Sequence, residues 1–486
     1  MKTEELLTSV PYTKIIGALP ETVEHLTMDS REVRRGSLFI CIKGYTVDGH
    51  DFAAQAAAQG AVLFVAEKPL DIEGAATVIV ENTDRALGLL SAKFYGYPSK
   101  SLQMIGVTGT NGKTSVAGMI HSMLMELNEK SALTGTIGFN LNGELHQSAN
   151  TTSDALTTQA MISRAREAGC SHMTMEVSSH GLVLGRLAGV EFNTAIFTNL
   201  THDHLDFHGT MEEYGHAKGL LFSQLGQNLQ EKKQAVLNAD DPWSEKYAAM
   251  TAHPVYTYGI EQPAQFKASD IEMDHQGTRF KLTSPQGEFN VSMKLLGRFN
   301  VSNALAAITA LAAENYPLEE IIAALSRIQP VEGRMQKVEL EAPISIFIDY
   351  AHTPDAIEKA IDAVKDFKTN RIIFLVGTGG NRDKTKRPIM AEKASAAEYV
   401  VLTTDDPRFE ENDSILNDLK VGMKHDGFAC IGDRAEAVKH AVAEAQPGDI
   451  IILAGKGHED YQIIGSTKYP HSDKEIAVKE ALKKFS

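Results

Sequence analysis

Short apolar runs recur along the chain, each closing on a polar cluster, and stretches with helical spacing lie between most of them. In residues 1–100 the runs are SLFICI (37–42), AVLFVAE (61–67) and ATVIVEN (76–82), with an Ala-rich helical stretch FAAQAAAQG (52–60). They predict a small α/β domain. The segment YGYPSKSLQ (95–103), polar with Gly and Pro, reads as a linker. From Met104 a strand is expected to run into a Gly-rich turn and a helix, and strand-like MTMEV (173–177) and TAIFTNL (194–200) follow. A further set begins near Arg334: SIFIDYAH, RIIFLVGTGG, YVVLTTDDP and DIIILAGKGH are apolar runs ending in polar residues, with helices such as TPDAIEKAIDAVKDF between them. Strands alternating with helices imply an α/β chain of mostly parallel sheets. In such sheets ligands bind beyond the carboxyl ends of the strands, where all four of these runs carry their polar residues.

The first candidate site follows from that rule. Residues 104–115 read MIGVTGTNGKTS, the strand–turn–helix layout of a phosphate loop. Gly109 and Gly112 let backbone N–H groups approach phosphates, and the helix N-terminus favours negative charge. Lys113 can reach the β and γ oxygens, and the Thr114 hydroxyl suits Mg²⁺. The usual spacing asks for glycine at position 107, where this chain has Val107, so the loop is a variant. Glu176 ends one strand and precedes Ser178, Ser179 and His180; Asn199 to Asp206 (NLTHDHLD) follows another. A His/Asp cluster at a strand end reads as metal or substrate binding or as a capping network. Mg²⁺ prefers oxygen ligands and suits it only in part. Lys218, on its own, reads as an exposed helical lysine.

At 486 residues the chain is too long for one ordinary core. With 43% hydrophobic and 23% charged residues, the composition is that of a soluble globular enzyme. Three distant cysteines, Cys41, Cys170 and Cys430, match no zinc spacing and read as reduced thiols of a cytoplasmic protein. The polar start argues against a signal peptide, and no run approaches a membrane span. A net charge of −16 argues against nucleic acid as partner. It does not exclude a nucleotide bound in a local positive pocket.

Taken together and in order, GTNGKTS, EVSSH, NLTHDHLDFH with YGHAK, GRFNVSNALAA, IDYAHTPD and GKGHE resemble the Mur ligases, most closely the third-residue (MurE) type. The likeness covers nearly the whole chain. It implies three α/β domains: a UDP-sugar-binding domain (1–100), a central ATP-binding P-loop domain (101–332) and a C-terminal Rossmann-like domain (333–486). The reaction it implies is ATP-dependent addition of a diamino acid to UDP-N-acetylmuramoyl-L-alanyl-D-glutamate in peptidoglycan synthesis. The peptide carboxylate takes the γ-phosphoryl group, and the amine then displaces phosphate from the acyl phosphate.

The resemblance also implies residue roles. Gly109, Thr110, Asn111, Gly112, Lys113, Thr114, Ser115, Asn300, Asn303, Arg334, Asp349 and His352 would bind ATP, with domain closure assembling the site. Thr114 and Glu176 would hold one Mg²⁺, His204 would help hold a second, and Lys218 would carry a CO₂-derived carbamate that turns an ammonium into an oxygen ligand. Lys113, Glu176, His204 and Lys218 would thus form the catalytic set. The base for the amine stays open between His204, His180 and bulk solvent. Ser30 and the stretch GYTVDGHDF (44–52) would bind uridine; Thr151, Thr152, Ser178 and Arg186 would hold the muramyl dipeptide, with Ser153 where the family often has proline. Arg382, Asp405, Asp406, Pro407, Arg408, Gly455 and Glu459 would meet the amino acid. Thr404–Arg408 resembles the DNPR signature of enzymes adding meso-2,6-diaminopimelate, and the Arg408 fork suits a distal carboxylate. Asp406 departs from that signature and argues for an amine such as L-lysine, whereas Arg408 argues the other way; meso-diaminopimelate is the expected substrate, and L-lysine or another diamino acid the alternative. A monomer acting on small molecules is expected. A folylpolyglutamate synthase-like ligase, a P-loop kinase and a silent regulatory paralogue are the competing functions.

Overall fold

The structure is a computed structural model that describes residues 1–486 except 45–46, 148–149, 275–276, 330–331, 366 and 486. Tyr45 and Thr46 of the expected uridine stretch therefore lie outside the described residues. The chain folds into two compact units. One comprises Met1–Gly106, Glu129–Ala195 and Leu220–Lys233, the other Val107–Asn128, Ile196–Gly219 and Gln234–Ser486.

In the first unit, five strands order as Lys14–Ile16, Ala76–Ile79, Ala61–Ala66, Ser37–Ile40 and His25–Thr27. Only the first pairing is antiparallel. Parallel strands are covered on both faces and so read as continuous apolar runs. Here alternate residues serve opposite cores. Leu38, Ile40, Leu63 and Val65 pack with Leu6, Leu87 and Leu90, while Phe39, Cys41 and Phe64 pack with Ala53 and Ala56. Farther along, Ser131–Gly135 lies parallel to His172–Glu176, which places Glu176 at a carboxyl end. Residues 95–103 are less of a tether than their composition suggests: Pro98–Ser101 form a 3₁₀ turn with Pro98 and Ser99 buried, and Ser99 Oγ accepts from the Glu191 N–H at 3.2 Å.

In the second unit, Gln234–Asn238, Val255–Gly259 and Phe266–Asp274 pair in parallel, followed by an antiparallel meander through Gly277–Ser284 and Gly287–Met293. The Ala-rich helix Arg298–Ala313 is buried over most of its length and packs on the helix Lys113–Glu126. The six-stranded sheet orders as Gln336–Lys337, Ser345–Asp349, Ile450–Ala454, Ile372–Thr378, Tyr399–Thr404 and Phe428–Cys430; only the first strand is antiparallel. Its apolar runs again divide between two faces. Phe347, Phe374 and Ile452 meet Ile357, Ile361 and Met390; Ile348, Leu375 and Leu453 share the opposite core with Val438 and Ala441. Each such aliphatic or aromatic side chain contributes about 1.5–3 kcal/mol by leaving water. Because four central strands are parallel, their carboxyl ends gather the loops after Asp349, Thr378, Thr404 and Ala454 at one edge. Among the described residues, no helix is long and apolar enough to cross a membrane.

Candidate functional site

The strand Gln103–Thr108 feeds the loop at 109–112, and the helix Lys113–Glu126 starts immediately after it with Gly112 as its N-cap. Two glycines are demanded by geometry. Gly109 (φ +151°) would drive a Cβ into Thr198 Oγ1, and Gly112 (φ +88°) lies against the Asn303 side chain. The loop is held from outside. Thr198 Oγ1 donates to Asn111 O at 2.6 Å, and the Asn111 N–H donates to Asn199 Oδ1 at 3.0 Å. Thr201 N donates to Thr110 Oγ1 at 3.0 Å. Lys113 Nζ turns back on the loop and donates to the carbonyls of Gly109 and Thr110, both at 2.9 Å.

A cavity of about 570 Å³ opens beside this loop, within the usual size of small-molecule sites. Of the expected nucleotide residues, Asn111, Gly112, Ser115, Asn303, Arg334, Asp349 and His352 line it. Asn300 does not; its Nδ2 donates to Leu296 O at 2.8 Å, so it tethers the helix start. Arg334 reaches the loop, with Nη2 donating to Thr114 Oγ1 at 3.0 Å, and lies over the Tyr350 ring at 4.6 Å. Asp349 accepts from the N–H groups of Met335 (2.7 Å) and Ala351 (2.8 Å). Burial raises its pKa, and Arg334 and these N–H groups oppose the rise.

Lys218 lies on the helix Met211–Ser223, almost wholly buried, its Nζ donating to Gly109 O at 2.8 Å. The exposed surface lysine of the unaided reading is therefore corrected. Burial first, then the nearby Lys113 ammonium, drives its pKa well below the usual lysine value. Asp203 is the hub of the adjoining cluster: Lys386 Nζ lies 3.3 Å away, His204 Nε2 3.4 Å and His352 Nε2 4.0 Å. Burial opposes its ionisation, yet Lys386, His204 and His352 hold its carboxyl well below the ordinary range. His352, crowded by its surroundings and by Lys386, is lowered to about 4 and is neutral near pH 7. His204 takes a left-handed backbone (φ +54°) at the head of a short helix. Among the described residues, no three His, Cys, Asp or Glu side chains converge as a ready metal cluster.

The first unit gathers its own expected residues. Glu176 Oε1 accepts from Thr136 N at 2.8 Å, and the hydroxyls of Thr136 and Thr151 lie 3.0 Å apart. Thr152 Oγ1 donates to Glu176 O at 3.0 Å and accepts from Ser178 N at 3.0 Å; Arg186 Nη1 donates to Thr152 O at 2.9 Å. Ser178 caps the helix Ser179–Val183, which carries His180. Ser30 is buried in a 3₁₀ turn capped by Asp29.

The expected amino-acid residues meet at the carboxyl edge of the six-stranded sheet. Arg382 and Arg408 both lie against Gly379, and Gly380 N donates to Asp406 O at 2.8 Å. Arg408, at φ +51°, turns its Nη1 to Gly380 O (3.3 Å) and holds Nη2 3.7 Å from Asp406 Oδ2. Gly455 (φ +110°) abuts the Asp405 carboxylate, and a Cβ at Gly380 would strike the Pro407 carbonyl. Lys456 Nζ bridges Asp406 Oδ1 (2.9 Å) and Glu459 Oε2 (2.7 Å). Asp405 pairs with Arg434, which also grips Asp473 through Nε (3.0 Å) and Nη2 (2.6 Å).

Sequence reasoning did not single out Asp203, Tyr350, Lys386, Arg434 or Lys456. Asp203, Tyr350 and Lys456 stand inside motifs already quoted, so their positions were visible although their contacts were not. Lys386 and Arg434 carry no local signal.

Comparison with known proteins places three family descriptions along the chain: "Mur ligase family, catalytic domain" over residues 22–95, "Mur ligase middle domain" over 107–311 and "Mur ligase, glutamate ligase domain" over 333–457. UDP-N-acetylmuramyl-tripeptide synthetase 2 of Oceanobacillus iheyensis is 46% identical, with 98% of each chain covered. UDP-N-acetylmuramoyl-L-alanyl-D-glutamate–L-lysine ligase of Staphylococcus epidermidis is also 46% identical, over 100% of this chain and 99% of its own. Among solved structures, a UDP-N-acetylmuramoyl-L-alanyl-D-glutamate–2,6-diaminopimelate ligase superposes with a TM-score of 0.68 at 32% identity, with 95% of each chain covered.

Proposed function

The chain belongs to the Mur ligase family, and from that premise we propose which diamino acid it adds and which residues do the work. It is an ATP-dependent ligase of the MurE type that joins a diamino acid to UDP-N-acetylmuramoyl-L-alanyl-D-glutamate. The division into 1–100, 101–332 and 333–486 is retained as the proposed domain plan; the three matched family segments fall within it.

L-Lysine is the proposed amino acid. One observation carries this choice: Asp406 and Glu459 converge on the Lys456 ammonium in the loops proposed to receive the amino acid, while Arg408 is turned onto a loop carbonyl and toward Asp406. Paired carboxylates suit a side-chain ammonium. A distal carboxylate, as in meso-diaminopimelate, would meet them as a like charge. The full-length likeness to an L-lysine ligase supports the same choice.

The loop 109–115, with Asn303, Arg334, Asp349 and His352, would bind ATP in the adjoining cavity, and Asn300 would hold the helix that carries Asn303. Lys113 would leave its loop carbonyls for the transferring phosphoryl oxygens and neutralise charge there. Thr151, Thr152, Ser178 and Arg186 would hold the dipeptide, and Ser30 the uridine. Thr114, Glu176, His204 and a carbamylated Lys218 offer chiefly oxygen donors, a set that fits Mg²⁺, which needs few protein carboxylates when phosphates and waters complete its shell. When bound, Mg²⁺ would supply charge neutralisation on the phosphates. The neutral Lys218 amine would add to CO₂ and lose a proton, giving the N-carboxylate.

Phosphate release is the test, with ATP and UDP-muramyl dipeptide present and L-lysine, meso-diaminopimelate or L-ornithine added in turn. Turnover that requires L-lysine is expected, and Asp406→Asn should lower its kcat/KM about tenfold or more, the scale of a lost charge contact. Preference for meso-diaminopimelate, raised further by Asp406→Asn, would overturn the choice of amino acid alone.

A further inference from the structure

Lys456 follows the strand Ile450–Ala454, and its side chain is 1% exposed. Its ammonium donates to Asp406 Oδ1 and Glu459 Oε2 and stands 5.0 Å from the Tyr461 ring centroid. Each carboxylate has a second fixed partner. Asp406 Oδ1 also accepts from the Ile463 N–H at 2.9 Å, and Glu459 Oε1 accepts from Tyr350 Oη at 3.2 Å. Tyr350 in turn lines the nucleotide cavity and stacks on His458 at 5.8 Å. A buried lysine loses its hydration and normally tends toward the neutral form. Burial acts that way here too, but Glu459, Asp405 and Asp406 outweigh it and keep the ammonium charged.

Two carboxylates sharing a small pocket repel, and a cation hydrogen-bonded to both holds them side by side. A displaced Asp406 or Glu459 would no longer meet a substrate ammonium. We infer that Lys456 is a positioning and specificity-determining residue: a resident ammonium, hydrogen-bonded to both Asp406 and Glu459, that holds the two carboxylates in place, so that together they select the side-chain ammonium of the incoming diamino acid. This rests on the L-lysine reading above. Lys456 acts through the two carboxylates and not on the reacting atoms. Its removal therefore weakens amino-acid binding and leaves the phosphoryl-transfer step largely intact.

Steady-state kinetics of Lys456→Met, which keeps the chain length and removes the charge, test this. KM for L-lysine should rise about tenfold or more, with kcat and KM for ATP within about threefold of wild type, a split that marks lost substrate binding. In Lys456→Ala, propylammonium should lower the raised KM and leave the wild type unaffected, because it returns a cation to the vacated place. Lys456→Arg retains the charge and should stay nearer wild type than Met; it also serves if the Met variant does not fold. An unchanged or lowered KM for L-lysine in Lys456→Met would overturn the inference, as would an Arg variant no better than Met or no rescue by propylammonium. A wild-type enzyme inactive with L-lysine would instead sink the underlying choice of amino acid, so the two failures are distinct.

Discussion

Arg434→Met should destabilise the C-terminal sheet by about 3–5 kcal/mol, the cost of leaving a buried partner uncompensated. The guanidinium is fully buried, binds both Asp473 oxygens, pairs with Asp405 and donates to Ala454 O at 2.8 Å. Among the described residues, Asp473 would keep His471, whose Nε2 lies 2.7 Å away. Asp405, whose pKa burial raises even with Arg434 present, would keep the more distant positive charge of Lys456. A loss of about 3–5 kcal/mol is a large part of the roughly 5–15 kcal/mol that holds a domain folded. A chain of this size does not unfold in one step, so the measurement is amide hydrogen exchange of the strands 399–404 and 450–454. Their protection should fall together. Adding Asp473→Leu to the variant removes one orphaned charge and should recover about 1–3 kcal/mol. Exchange within about 1 kcal/mol of wild type in the single variant would refute the reasoning, given the named buried contacts. A double variant less protected than the single would do the same. Asp405 precedes Asp406, proposed above to meet the amino acid, so KM for the amino acid should rise as protection falls.

Other expected outcomes are as follows. Lys113→Ala should lower kcat on the order of 10²-fold or more by removing a charge partner of the transferring phosphoryl group; near wild-type turnover with all substrates would reject the phosphate-loop assignment. Lys218→Ala should lose activity and regain part of it with added short carboxylic acids, while carbamylation of wild-type Lys218 should be visible by ¹³C NMR with labelled bicarbonate; full activity of the variant without rescue would show the carbamate to be unnecessary. Asp473 is held well below the ordinary carboxyl range: burial opposes its ionisation, but Arg434 and His471 outweigh it. Its stabilising contribution is thus present above the unfolded value near 4 and is lost as pH falls through and below it. Asp473→Asn should give a shallower drop in exchange protection between about pH 5 and pH 3 than the wild type shows; parallel pH curves would contradict the linkage.

Contiguous chemistry was legible in the amino-acid order. A phosphate loop needs a strand, two glycines with special backbone angles, a lysine and a helix start, and these are neighbours in the chain, so Gly109, Gly112 and Lys113 declare themselves. Apolar runs ending in polar residues likewise announced parallel strands with ligand loops at one edge, because burial on both faces and chemistry at the carboxyl ends are both written locally. The motif resemblance pointed to the family for the same reason. Only the tertiary structure decided which side chains meet. Arg334 reaches Thr114 from 220 positions away, Lys386 reaches Asp203 from 183, and Arg434 joins residues 29 and 39 positions distant. No periodicity encodes such pairs. Burial is decided the same way: Lys218 looks like any helical lysine until the packing around it strips its water and lowers its pKa. Whether the Asp406 carboxylate faces Arg408, Lys456 or a substrate ammonium is a matter of three loops converging, and sequence lists those loops without saying how they close on one another.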